Sequence, residues 1–166
     1  MAVDPVEAVT AEFAVRNVLA RIAQTADTGT IEEYLDNFTP DAQWVMPDNP
    51  SLGVAGSIRS GHAAIRSGVE ERRGAGLQGP GSYSRHMVQT IAVTVESGDR
   101  AVARSYFTYF NDTLLAPRLA SVGQYDDTFV RTADGWRISE LVLRAAGMKD
   151  FHRATMHPIG RRPPTS

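Results

Sequence analysis

The stretch from Ser84 to Asn111, SRHMVQTIAVTVESGDRAVARSYFTYFN, decides the fold. Two runs rich in β-branched and aromatic residues flank Ser97-Gly98-Asp99, a turn suited to a tight reversal. Ser84 to Val95 reads as the outgoing strand and Ala101 to Asn111 as the return. Leu119 to Arg131 gives a third strand, Thr132-Ala133-Asp134-Gly135 turns the chain, and Trp136 to Arg144 gives a fourth. Sequential strands with such short links are antiparallel. Alternation puts His86, Val88 and Thr90 on one face and Met87, Ile91 and Val93 on the other. An apolar face on each side of one sheet implies a subunit interface, so a homodimer or homotrimer is expected.

Upstream the period is helical. Asp4-Pro5-Val6-Glu7 is a helix entry, with Asp as N-cap, Pro at the first position and Glu in the first turn. Val15, Val18, Leu19, Ile22 and Ala26 share one stripe. The helix ends at Asp27-Thr28-Gly29, where Gly29 is expected to supply a left-handed terminus. Thr30-Ile31-Glu32-Glu33 is a capping box that opens a second, short helix to about Phe38. Pro40-Asp41 ends it, and Gln43 to Met46 reads as a strand closed by Pro47. Residues 47–60, with Pro50, Gly53 and Gly56, read as a loop or lid. Ser60 is placed to cap a third helix, from about His62 to Arg73, and a Gly-rich connection runs from Gly74 to Gly81. Helices first and a strand meander after them make the class α+β. The N-terminal helices should cover one face of a four- or five-stranded sheet. Residues 1–146 form the domain, and 147–166, with Pro158, Pro163 and Pro164, read as an irregular tail.

Bulk properties narrow the function classes. The chain has 166 residues, enough for one domain with a substantial core. Its formal net charge is −2, and its Lys and Arg are scattered, which argues against a nucleic-acid partner. It has no cysteine, which removes disulfides, thiolate metal sites and thiol nucleophiles together. No apolar run is long enough to span a bilayer, and no signal peptide opens the chain. A cytoplasmic protein is the expectation. Paired spacing for a metal is missing among His62, His86, His152 and His157. No phosphate loop, dinucleotide fingerprint or nucleophile elbow is present. Any reaction is therefore expected to need neither cofactor nor metal.

Ala26-Asp27-Thr28-Gly29, then Phe38-Thr39-Pro40-Asp41-Ala42, then Ser84-Arg85-His86-Met87-Val88, then a hairpin and Asp134-Gly135-Trp136-Arg137-Ile138 form an ordered series. In order and spacing it resembles the SnoaL-like proteins of the nuclear transport factor 2-like superfamily, over roughly residues 10–146. The resemblance implies a cone-shaped roll, with helices packed on a curved antiparallel sheet around a mostly apolar pocket. Relatives of three kinds bear on function: scytalone dehydratase with its steroid-dehydratase cousins, ketosteroid isomerase, and the small subunit of ring-hydroxylating dioxygenases. Fold alone does not choose among them.

Asp27 and His86 are the candidate catalytic pair. A carboxylate beside the buried stripe, at the negative end of a helix dipole, calls for a donating partner. The resemblance supplies one: in the dehydratases the matching Asp and His form a hydrogen-bonded dyad. Asp would fix the tautomer of an imidazole that takes and gives a proton near neutral pH. The plainer alternatives are a solvated helix-end Asp and a core His bonded to backbone. Arg85 should point to the opposite face. Asn111 stands where scytalone dehydratase has a second catalytic His, and Met46 and Ala26 stand where it has tyrosines, so scytalone dehydration itself is not expected. Tyr109, Tyr125 and Asp127 are the candidate helpers. Asp127 counts to the position of the oxyanion-donating acid of ketosteroid isomerase, with Asp126 as alternate and a surface role as the plainer reading. Trp44, Met46, Val88, Phe107 and Phe129 are candidate pocket walls, although core packing accounts for such residues equally well.

The expected activity is a dehydration, or a proton transfer next to a carbonyl, on a small apolar ring-containing ligand. A non-catalytic small subunit or ligand-binding module is the alternative.

Overall fold

A computed structural model describes residues 3–147. Helix α1 spans Pro5–Thr28 and α2 spans Ile31–Leu35. Strand β1 is Phe38–Met46 and β2 is Ser57–Ser60, followed by α3, Gly61–Gly74. The long strands are β3 (Arg85–Val95), β4 (Arg100–Asn111), β5 (Arg118–Thr132) and β6 (Gly135–Gly147). Helices followed by one curved, unclosed sheet make the α+β class expected from residue order and the cone that the resemblance implied, with six strands rather than four or five. Apart from Gly147, the residues read as an irregular tail lie outside the described ones, and His152 and His157 lie there too.

The α1 entry follows from its first residues. Asp4 accepts from the backbone N–H groups of Val6 and Glu7, satisfying two otherwise unpaired donors. Val15, Val18, Leu19, Ile22 and Ala26 are all buried against the sheet. The capping box at α2 is complete: the Glu33 N–H donates to Thr30 Oγ1 at 3.1 Å, and the Thr30 N–H donates to Glu33 Oε2 at 2.7 Å. Gly29 departs from expectation. Its φ of −79° and ψ of 171° are extended, not left-handed. Glycine is needed there for space, because a Cβ would meet Thr25 Cα at 2.8 Å. Ser60 precedes α3 but makes no side-chain cap bond.

The sheet order is β2-β1-β6-β5-β4-β3. The meander β3 to β6 is antiparallel throughout. The sheet as a whole is mixed, because β1 runs parallel to β6. The helical segment 61–74 and the long hairpins intervene, so β1 reaches β6 by topology rather than by a turn readable in sequence. Strand β1 begins at Phe38, five residues before the expected start. Its pairing is interrupted between Phe38 and Gln43, around Pro40, which has no N–H to donate. Part of the expected loop is strand: Ser57–Ser60 pairs antiparallel with residues 43–46.

The β3–β4 register shifts between Gln89 and Ala92, and Thr90 has φ of +53°. This bulge overturns the expected alternation. Ile91 and Val93 come to the same side as Val88, packed on the core under α1. The outer face of β3 to β5 nevertheless stays apolar at one end. Met87, Tyr106 and Leu119 are each at least half exposed there, and Phe110 sits opposite Arg85 and Leu119 among them.

Gly123 lets β5 pack closely between its two neighbours. It faces Phe107 across the β4–β5 ladder, and a Cβ would lie 2.4 Å from the Arg144 carbonyl oxygen and 2.5 Å from the Phe107 ring. Neither backbone nor a ring packed between strands yields cheaply. Gly123→Ala is expected to cost about 2 kcal/mol through overpacking. Chemical denaturation checks this, and an unchanged midpoint would show that the strand relaxes freely.

Candidate active site

A cavity of about 290 Å³ opens between α1, α3 and the inner face of the sheet. Leu19, Ile22 and Ala26 of α1 and Leu141 and Leu143 of β6 give it an apolar wall. Low local polarity strengthens every charge and hydrogen bond that reaches it.

Asp27 lies in the last turn of α1 and is 4% exposed. A carboxylate there stands among unpaired helix carbonyls and needs donors from elsewhere. One residue of β3 supplies both. His86 Nδ1 lies 2.6 Å from Asp27 Oδ1, and the His86 backbone N–H donates to Oδ2 at 3.0 Å. A carboxylate only accepts, so the proton of the neutral ring is assigned to Nδ1. Nε2 then keeps the lone pair on a ring that lines the cavity. The Tyr109 ring packs on the imidazole with centroids 4.8 Å apart. The ring is thus fixed in plane, tautomer and position.

Trp44, Met46, Val88, Phe107, Tyr109, Tyr125 and Asp127 all line the same cavity. Two expected members do not. Phe129 is fully buried in the core, two residues past Asp127 along β5. Asn111 ends β4 opposite Arg118, and its Oδ1 is buried without a hydrogen-bond partner. The β4–β5 register slips by one residue on β5, at Ala120, so Asn111 keeps the parity of Tyr109 but, as the last residue of β4, lies beyond the residues that line the cavity. Arg85 is exposed on the outer face, as alternation requires.

The adjacent aspartates divide cleanly. Asp126 faces outward. Burial alone would raise its pKa, but hydrogen bonds from Arg104, Arg144 and Gln124 hold it below the usual range. Asp127 faces inward, is 3% exposed, and its Oδ1 has no partner. Burial, with repulsion from Asp126 and Glu140, raises it well above the ordinary 3.8. Burial thus favours its protonated form, which can donate a hydrogen bond, and the cavity takes the place of the surface role. Burial likewise pushes up the phenols of Tyr34, Tyr109 and Tyr125, keeping each one protonated. The Tyr109 hydroxyl is already committed to the Leu77 carbonyl, so Tyr109 acts as wall rather than acid.

Sequence reasoning missed the polar residues contributed by α3 and its C-terminal connection. Arg72 lies over the Trp44 ring, 5.1 Å from its centroid, and its Nε–H donates to Gln78 Oε1 at 2.9 Å. Arg59 and Glu71 also line the cavity and pair with each other at 2.6 Å. The polar composition of α3 reads as an ordinary solvated face; only the contact with β1 turns Arg72 inward. Among the described residues no group of three His, Asp or Glu is placed to hold a metal ion. No helix among them is long and apolar enough to cross a membrane.

A family model described as a SnoaL-like domain matches residues 7–142. The chain is similar in structure to an NTF2-like protein with a cystatin-like fold from Novosphingobium aromaticivorans: 24% identity, 90% of each chain covered, TM-score 0.69. It is similar to a proposed scytalone dehydratase from the same organism: 21% identity, 93% of this chain and 97% of the other, TM-score 0.67. A third similar structure, also from that organism, is the beta subunit of a proposed aromatic-ring-hydroxylating dioxygenase: 17% identity, 84% and 91% covered, TM-score 0.66. At these identities the likeness shows the fold alone. No curated protein matches.

The raised Asp127 has a consequence for stability. Between pH 3.8 and its folded-state pKa, the folded chain holds a proton that the unfolded chain has released. Stability therefore falls as pH rises through that window. Asp127→Asn removes the titration, so the variant should gain on wild type as pH climbs from about 4 toward the raised folded-state pKa. Thermal unfolding across that range checks it; a difference that stays flat counts against a proton-holding Asp127.

Proposed function

We propose, for a chain that belongs to the SnoaL-like domain family, that the cavity is the active site of a cofactor-independent lyase or isomerase acting on an apolar ring compound. The observation that carries this reading is the orientation of His86. Asp27 accepts from the Nδ1–H and from the backbone N–H of the same residue, which leaves Nε2 as the basic nitrogen of a ring that lines the cavity. A base held this way removes a proton from carbon next to a carbonyl. The imidazolium then returns it, either to another carbon, moving a double bond, or to a departing hydroxyl, releasing water. Asp27 steadies the positive ring in between. The flat aromatic and aliphatic walls suit a ring system better than a sugar. Asp127 stands six residues along β5 from Ser121, the residue in register with Tyr109 and, through it, His86. It is therefore assigned to a remote polar group of the ligand rather than to the reacting carbon.

The test is hydrogen–deuterium exchange next to the carbonyl of a bicyclic ketone such as 2-tetralone, followed by NMR in deuterated buffer. Wild type should accelerate exchange over buffer, and His86→Ala should lose about 10²-fold or more of that acceleration. Asp27→Asn should lose a comparable part while still folding. Exchange by His86→Ala within a few-fold of wild type would remove the base assignment.

The outer apolar patch of Met87, Tyr106, Phe110 and Leu119 supports self-association as a homodimer or homotrimer. Sedimentation of wild type should give a dimer or trimer, and Met87→Glu should shift it toward monomer. A monomeric wild type would favour the alternative, a subunit whose patch waits for a different and larger chain.

A further inference from the structure

We propose that Arg72 and Gln78 form a receptor for a carboxylate, so that the ring compound bound in the cavity is an acid. The inference rests on the reading of the cavity as a ligand site and adds the ligand's charge.

Arg72 is a half-buried cation without an ion-pair partner among the described residues, while Arg16, Arg59, Arg66, Arg100 and Arg104 each have one. The carboxylates around the same cavity are unavailable to it. Glu71 is held by Arg59 at 2.6 Å and Asp27 by His86 at 2.6 Å. Burial pushes Asp127 toward its protonated form. A cation left over in an apolar cavity has lost water without gaining a counter-charge, a condition that an anionic ligand relieves.

Gln78 supplies a second, independent sign. It is 6% exposed, and its Nε2 is buried with no hydrogen-bond partner. Its amide cannot be turned round to cure this. Arg72 Nε–H is a donor, so the Gln78 atom facing it must be Oε1. The amide N–H groups are therefore committed to the remaining direction and lack an acceptor. Both side chains line the cavity.

Geometry favours a carboxylate. The guanidinium lies over Trp44 and its Nε is occupied by Gln78, so the terminal Nη groups, near the Tyr34 hydroxyl, are the donors a ligand would meet. Paired N–H donors match two carboxylate oxygens. A ring system attached to that carboxylate would then lie along the apolar walls.

The experiment is calorimetric titration of the wild-type protein with 2-naphthoate and with 2-naphthamide, which share size and ring but differ in charge. Naphthoate should bind about ten-fold tighter or more. Arg72→Gln should bring the two within about two-fold of each other, and Arg72→Lys should restore part of the preference. Equal affinities in wild type, or no measurable binding of either probe, would overturn the proposal whether or not the variants fold. Deuterium exchange reads His86 and the naphthoate preference reads Arg72. Loss of the preference with intact exchange removes this inference alone, and a preference without exchange removes only the catalytic reading.

Discussion

A carboxylate buried at the carbonyl end of a helix is an expense that some other part of the chain must offset. Asp27 is in that position, and the relief comes from both N–H groups of a single residue, 59 positions away in sequence. The bond therefore does more than orient a ring. It fixes the end of α1 against the start of β3, an edge strand of the sheet. A second tie lies further up the same pair of elements, where Arg16 donates to the Ile91 carbonyl while bound to Glu12. Between these two ties the helix and the edge strand enclose one side of the cavity. Removing Asp27 would loosen the wall as well as the base, because an unpartnered polar group would remain where water is scarce.

The polar groups around the cavity are unevenly distributed. Asp27 and His86 lie where α1 meets β3. Tyr34, Arg72, Gln78 and Asp127 come from other elements, and the electrostatic influence of Arg72 and Asp127 reaches both Tyr34 and Tyr125. Apolar side chains from α1 and β6 lie on the walls as well. Such a layout sets a ligand's direction. On the proposed reading, a ligand's ring would be held by area, its polar substituent by donors, and its reacting carbon by its distance from both. The Gln78 amide, a donor buried without an acceptor, is costly in an apolar cavity, and a ligand oxygen would relieve it.

Much of this could be read from residue order, and the failures have physical causes. Asp4, the α1 stripe, the Thr30–Glu33 box and the Ser97-Gly98-Asp99 reversal are local signals, decided within a few residues, and they hold. The Asp27–His86 pairing came from resemblance, and geometry joins the two residues. The misses depend on the third dimension. Thr90 takes a positive φ without being glycine, so nothing announces the bulge that brings Ile91 and Val93 inward. The parallel contact of β1 with β6 spans most of the chain. Gly29 serves closeness to Thr25 rather than handedness. Arg72 carries no motif; its meaning comes from Trp44 and Gln78, which only folding brings to it.

The kink at Thr90 also bears on how the protein behaves in a crowded solution. Strand β3 ends the sheet, so one row of its amides and carbonyls has no neighbouring strand. A long flat border of that kind invites zipper-like accretion of further copies into fibrils. Here the border is bent midway, and the Ile91 carbonyl is taken by an arginine from the helix beneath. The same irregularity that redirects side chains toward the interior thus makes the rim a poor template for runaway stacking.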